Sequence, residues 1–231
     1  MSRPRFLAAL LLSVLAPLSA AQDEMRILMQ RSSEPPDAGE FFVFVGEYVD
    51  YQPLKIDCDN CWVFDTWHTA RYRVAEWIHG VPPGPELTFD VAEHSVIVPF
   101  GHSRYALAFV ERHGDELALV KYQQVPVYPT ADGSFASCGP LWGDRDSTTQ
   151  PQEINGPALR DIEFSPQLVV DDAGRLSEYG RNNAYDPRWH EVIGNEVLCR
   201  RGVPVAELVP AIVRETDVLS AALPELAGPD Q

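Results

Sequence analysis

Between residues 40 and 128, apolar and polar residues alternate in a series of short segments, a pattern typical of β-strands with one buried face. No long segment of helical periodicity interrupts the series, which argues against a parallel sheet with crossover helices. The longest apolar run reaches Gly46, where a glycine allows a sharp bend or a bulge. The pattern predicts an antiparallel barrel or sandwich of five strands, centred on residues 41–49, 72–78, 87–91, 105–109 and 117–121.

The composition changes after Cys138, where Gly, Pro, Asp and Thr dominate as far as Pro157. Such a composition is typical of a linker or of an excursion over the barrel. The apolar residues 168–170 predict a short strand within this region. We therefore expect a barrel at 22–139, a linker with short strands at 140–185 and a helical region at 186–231.

Two helices are predicted in the C-terminal region. Asp186 and Pro187 have the order of an N-cap and a first helical residue, and Trp189, Val192, Ile193 and Val197 follow at helical spacing. The second helix opens at one of two prolines, 204 or 210. Its apolar stripe is expected to dock on the barrel or the linker, and it consists of Leu208, Val209, Ile212, Val213, Thr216 and Leu219.

The N-terminus has the pattern of a cleavable secretory signal peptide. Arg3 and Arg5 precede an apolar run at residues 6–16 that is too short to span a bilayer, and the small residues before Gln22 suit a signal peptidase. We expect a signal peptide at 1–21 and a mature chain that begins at Gln22. The sequence thus predicts a periplasmic or secreted protein.

The chain is strongly acidic, with 34 Asp and Glu residues against 18 Lys and Arg residues. Loss of the two signal-peptide arginines would change the net charge from −16 to about −18. A surface of this charge repels nucleic-acid phosphates and anionic lipids. We expect no nucleic-acid partner and no integral membrane segment after cleavage, and cationic partners or metal ions are favoured.

Four cysteines in an exported chain favour two disulfides, for which three pairings exist. Local geometry favours Cys58 with Cys61 and Cys138 with Cys199. The sequence CDNC at 58–61 also has the spacing of a redox pair or of two zinc ligands. Neither a nearby cation nor a thioredoxin-like context supports redox chemistry, and His68 is the one additional zinc ligand nearby, so a structural disulfide is the preferred interpretation.

Three segments together resemble the netrin-like domain, which is shared with the tissue inhibitors of metalloproteinases. They are residues 42–47 (FVFVGE), 72–80 (YRVAEWIHG) and 99–107 (PFGHSRYAL), and Cys138 in FASCG is similar to a cysteine that follows the fifth strand in that family. The resemblance covers residues 40–139 and implies a five-stranded OB-type barrel. Protease inhibition is not implied, because the inhibitors use an N-terminal cysteine and this mature chain is expected to begin with Gln22.

Trp62, Phe64 and Trp67 form an aromatic cluster beside the two cysteines of the first long loop. Large rings in a loop fixed by a disulfide often mark a contact surface. The same rings could instead plug one end of the barrel. The sequence leaves both interpretations open.

Other polar residues give no catalytic pattern. His94 and His102 could meet across a turn, and Glu93 beside His94 offers a carboxylate for a general-base pairing. The candidate nucleophiles Ser95, Ser103 and Ser134 lie outside any nucleophile-elbow sequence. The acidic pairs at 144–146 and 171–172 do not follow the spacing of a calcium loop. The histidines are interpreted as exposed loop residues and the acidic pairs as solvated turns.

The sequence therefore predicts a mainly β protein with a C-terminal helical part, without a cofactor, that acts as an exported, soluble, non-enzymatic binding module. Its ligand is a protein or a small molecule. One alternative is a thiol- or metal-dependent enzyme that uses Cys58, Cys61 and His68. Another is a structural or assembly factor of the cell envelope.

Overall fold

The five alternating segments form five long strands in the computed structural model, as the sequence predicts. The structure describes residues 40–55, 65–81, 83–93, 103–141, 156–165, 168–170, 186–194 and 196–228, all within one compact unit, Gly39–Gln231. The long strands are β1 (Phe41–Pro53), β2 (Thr66–His79), β3 (Glu86–Glu93), β4 (Tyr105–His113) and β5 (Glu116–Pro129).

The five strands close into a ring. β1 pairs with β2 and β4, β2 pairs with β3, and β4 pairs with β5, all in antiparallel orientation. A parallel pairing between Asp90 in β3 and Ala118 in β5 joins the two ends. The order β1–β2–β3–β5–β4 is that of an OB-like barrel, so the predicted fold class is confirmed.

Alternate side chains of the strands build two apolar clusters on opposite faces of the sheet. The inner cluster receives residues from all five strands and therefore fills the ring: Phe42, Phe44, Ala70, Tyr72, Leu87, Phe89, Val91, Ala106, Ala108, Val110 and Leu119. The outer cluster joins strands β1, β4 and β5 to the C-terminal helices.

Gly46 marks an irregularity in β1, as its sequence position predicts. The β1–β2 register shifts between Val45 and Gly46. A Cβ atom at Gly46 would lie 2.8 Å from Cε2 of Phe44 and 2.9 Å from Cβ of Tyr72. Glycine is needed here because the backbone passes directly over two side chains of the inner cluster.

Among the described residues, six short strands follow the barrel. β10 pairs with β8 and with β9, β11 pairs with β7, and β6 extends the barrel sheet at β5. The strand predicted at 168–170 is confirmed as β8. The bounds are β6 (Phe135–Ala136), β7 (Arg160–Asp161), β8 (Leu168–Val170), β9 (His190–Ile193), β10 (Glu196–Cys199) and β11 (Arg201–Gly202).

The helix expected from Asp186 to Gly202 is wrong, because this segment forms the hairpin β9–β10. Asp186 caps only one turn, in which its Oδ1 accepts the Arg188 backbone N–H at 2.8 Å. Gly194, at φ +62°, then permits a tight reversal. Helical spacing places Val192 and Val197 on one buried face, yet Val192 is 42% exposed and Val197 is fully buried.

The second predicted helix is confirmed as α1 (Val205–Glu215), which begins after Pro204 and includes Pro210. A short helix α2 (Asp217–Ala222) and a 3₁₀ turn (Pro224–Leu226) follow. Leu208, Ile212 and Leu219 pack in the outer cluster, so the stripe docks on the barrel as expected. Within the described part of the chain, no helix has the length and apolar character needed to cross a membrane.

Candidate functional site

Strand β5 contains a wide bulge on the surface of the barrel. In the pairing of β4 with β5, Ala108 lies opposite Gln124 and Val110 lies opposite Leu119. The chain therefore advances by five residues in β5 where it advances by only two in β4. Tyr122, inside the bulge, has φ +65° and is the one non-glycine residue with positive φ among those described. Its side chain is 54% exposed. The bulge thus presents an aromatic ring to solvent on a backbone conformation that tyrosine rarely adopts.

An ion pair ties the bulge to the beginning of β2. The Lys121 ammonium donates a hydrogen bond of 2.7 Å to Oδ2 of Asp65, and Lys121 Nζ also lies 5.3 Å from the centroid of the Tyr122 ring. The hydrogen bond to Asp65 raises the pKa of Lys121. The lysine therefore stays charged and holds the bulge against the base of the β1–β2 loop.

Trp67 lies two residues after Asp65 and is partly buried. Its backbone pairs with Ala92, and its carbonyl accepts the N–H of Leu54 at 2.8 Å. We call Asp65, Trp67, Lys121 and Tyr122 the bulge surface. Trp62 and Phe64, the other members of the predicted aromatic cluster, lie outside the described residues.

His68 faces the inner side of β2, where its ring lies 4.9 Å from that of Tyr51. Its Nδ1 atom is buried, and no hydrogen-bond partner reaches it within the described part of the chain. Cys58 and Cys61, the other predicted zinc ligands, lie outside that part. Among the described residues, no group of three or more His, Cys, Asp or Glu side chains is placed to hold a metal ion.

The disulfide predicted between Cys138 and Cys199 is confirmed. It joins the chain after β6 to the end of β10, and Cys199 is buried beside Ala136 and Phe164. A shallow cavity of about 460 Å³ opens next to it between residues 161–164 and 199–200. The predicted pairing of Cys58 with Cys61 lies outside the described residues.

The serines predicted as weak nucleophile candidates serve local structure where they are described. The Ser103 hydroxyl donates to the Tyr105 carbonyl at 2.5 Å, and the Ser134 hydroxyl donates to Asp132 at 2.8 Å. Neither hydroxyl contacts a histidine among the described residues. Ser95, His94, His102 and the acidic pairs at 144–146 and 171–172 lie outside them, as does the side chain of Glu93.

The outer face of β1, β2 and β3 carries a chain of ion pairs. Arginine and carboxylate side chains alternate along it, so that each charge faces an opposite charge. Exposed pairs of this kind contribute little to stability and leave no unbalanced charge for a ligand. This face is therefore a poorer candidate for a binding site than the bulge surface. The residues of the ion-pair chain, each paired with the next, are Arg104, Glu47, Arg73, Glu86, Arg71 and Asp50.

No protein-family model, curated protein or solved structure matches this chain. The resemblance to netrin-like domains therefore stays a prediction. The candidate site stands on geometry alone.

Proposed function

We propose that this protein is an exported, non-enzymatic binding module whose partner contacts the bulge surface. The observation that carries the proposal is the conformation of Tyr122. Its ring is exposed, and its backbone occupies the left-handed region at a cost of about 1–2 kcal/mol for a residue with a side chain. Strain of this kind is concentrated at functional sites, where the surrounding structure maintains it.

The chemistry of the bulge surface suits a protein partner. Tyrosine and tryptophan are enriched among the residues that dominate binding energy, because their rings bury a large area with few rotatable bonds. Tyr122 is fixed by the bulge and Trp67 by the pairing of β2 with β3. Preorganised rings lose little conformational entropy on binding.

We expect the partner to present cationic groups. The chain has a net charge of −16, and the one lysine of the bulge surface is already paired with Asp65. A ring face attracts a guanidinium or ammonium group, and an acidic protein steers cations toward itself. Binding should therefore weaken as the salt concentration rises.

Location outside the cytoplasm belongs to the same proposal. The N-terminal sequence predicts a signal peptide, and disulfides such as Cys138–Cys199 persist in oxidising compartments. The periplasm and the extracellular space both fit. N-terminal sequencing of the mature protein, with Gln22 as the expected first residue, tests this part.

Two substitutions at Tyr122 separate strain from recognition. Tyr122→Ala removes the ring and keeps the strain, whereas Tyr122→Gly removes both. We expect the glycine variant to be more stable than the alanine variant by about 1 kcal/mol in urea unfolding. Binding is measured by immobilising each protein and passing the exported protein fraction over it. We expect the wild type and Tyr122→Phe to retain partners that salt elutes, and we expect the alanine and glycine variants to retain none of them.

The matched control is Val81→Ala, which removes an apolar side chain that is 75% exposed in the turn after β2. This variant should retain the same partners as the wild type. If the Tyr122 variants also bind normally, the bulge surface is not the binding site. Turnover on a panel of generic substrates that depends on a metal or a thiol would contradict a non-enzymatic role.

The alternative of a metal-dependent site has one observation in its favour, the buried Nδ1 of His68, which no hydrogen-bond partner reaches among the described residues. It predicts one equivalent of zinc in protein purified without chelators, lost in His68→Gln. The binding-module proposal predicts no zinc in either protein. Elemental analysis of the two proteins decides between them.

A further inference from the structure

Two polar side chains meet inside the ring of strands. Gln124 of β5 is 3% exposed, and Tyr72 of β2 is fully buried in the inner cluster. The Gln124 Nε2 atom donates a hydrogen bond of 2.6 Å to the Tyr72 hydroxyl oxygen. In a regular strand, residues 119 and 124 would face opposite sides of the sheet, because they are an odd number of positions apart. The bulge around Tyr122 changes this alternation, so Leu119 and Gln124 both face the inside of the ring.

Two polar groups of this pair have no hydrogen-bond partner among the described residues, the Gln124 carbonyl oxygen and the Tyr72 hydroxyl proton. The Gln124 Oε1 atom is buried, and no donor reaches it within the described part of the chain. The Tyr72 hydroxyl accepts from Gln124, so its own proton needs an acceptor. Exchanging the amide nitrogen and oxygen does not solve the problem, because Tyr72 would then donate to the oxygen and neither amide N–H would have an acceptor among the described residues.

Three of the side chains that share the interior with the pair are alanines. Ala108 is the direct neighbour of Gln124 across β4 and β5, and Ala106 and Ala70 face the same interior. All three are fully buried, and each ends at Cβ where larger apolar residues would fill the ring. An unsatisfied buried amide in an interior that short side chains line is a setting in which proteins enclose a small polar molecule.

We propose that the barrel encloses a hydroxyl group between Gln124 and Tyr72, which donates to Gln124 Oε1 and accepts from the Tyr72 hydroxyl. Its source is a water molecule or the alcohol of a small uncharged ligand. Burial raises the pKa of Tyr72, in agreement with an interior in which an ion would be costly. This site is separate from the bulge surface and does not depend on the proposed function.

A crystal structure at high resolution tests the proposal directly. We expect a density peak within hydrogen-bond distance of both Gln124 Oε1 and the Tyr72 hydroxyl. Denaturing the same preparation and analysing the extract by mass spectrometry identifies the source of the hydroxyl group. An organic alcohol in the extract shows a bound ligand, and its absence shows a water molecule. An empty interior would overturn the proposal.

Ala108→Val provides a test in solution. If a hydroxyl-bearing molecule lies beside Ala108, valine displaces it and leaves the Gln124 Oε1 atom without a donor, so the melting temperature should fall by about 3 °C or more. In the background Tyr72→Phe with Gln124→Leu, the same substitution should be neutral or stabilising, because no polar group needs the space. A rise in the wild-type background, or an equal fall in both backgrounds, would contradict the proposal.

Discussion

Replacing Gly202 with alanine should destabilise the protein by at least about 4 kcal/mol, which is a large part of the typical unfolding free energy of a domain, about 5–15 kcal/mol. A Cβ atom at this position would lie 1.8 Å from the Ser137 carbonyl oxygen and 2.9 Å from its carbon. Both are backbone atoms, so no side-chain rotation can relieve the overlap. We expect Gly202→Ala to accumulate poorly or to unfold at a much lower urea concentration than the wild type.

The reason for so large an effect is the number of contacts that meet at Gly202. Ser137 N–H donates to the Val203 carbonyl at 2.9 Å, Val203 N–H donates to the Ser137 hydroxyl at 3.1 Å, and Gly139 N–H donates to the Arg201 carbonyl at 2.9 Å. A methyl group would force these two segments apart and leave their buried groups unpaired. Each such group costs about 1–3 kcal/mol.

Gly84→Ala is the matched control for this prediction. Gly84 has no positive φ, and the nearest atom to an added Cβ is 3.8 Å away. The unfolding free energy should change by no more than about 0.5 kcal/mol. If the two variants unfold at the same urea concentration, the close contact between residues 137 and 202 does not exist in solution.

Local patterning was sufficient to predict the barrel but not the features that make its surface distinctive. The alternation of residues 72–78 and 105–109 predicts strands because each side of the sheet buries every second residue. The alternation does not predict the bulge in β5. Its cause is the pairing of Gln124 with Ala108, a contact between distant parts of the chain, and tyrosine gives no sequence signal of a positive φ.

The region after the barrel was harder to predict because its structure depends on tertiary contacts. Residues 189–197 have a spacing that fits a helix, yet Gly194 and the disulfide at Cys199 favour a hairpin. The Cys138–Cys199 pair could be predicted because local geometry favours it among the three possible pairings. The importance of Gly202 could not, since nothing local distinguishes it from Gly84, and only the approach of Ser137 does so.

Replacing Cys138 and Cys199 together by serine should have the second large effect, a loss of about 4 kcal/mol of unfolding free energy. The two residues are separated by 61 positions in the sequence, and cross-linking them restricts the unfolded chain far more than a short loop would. The buried environment of Cys199, which is 2% exposed, adds a cost for placing a serine hydroxyl there. Urea unfolding of the double variant measures the loss.

The matched control is the double serine variant at Cys58 and Cys61, whose predicted bridge closes a loop of two residues and is worth about 2 kcal/mol at most on the same reasoning. Reducing agent should lower the stability of the wild type toward that of the Cys138/Cys199 variant and should leave that variant changed only by the smaller amount.

Because β10 leads directly into β11 and α1, loss of the bridge should first weaken the attachment of residues 186–202. Faster amide exchange in β9 and β10 than in β1 and β4 of the variant would report this order, whereas equal acceleration in all four strands would show that the bridge stabilises the whole unit uniformly.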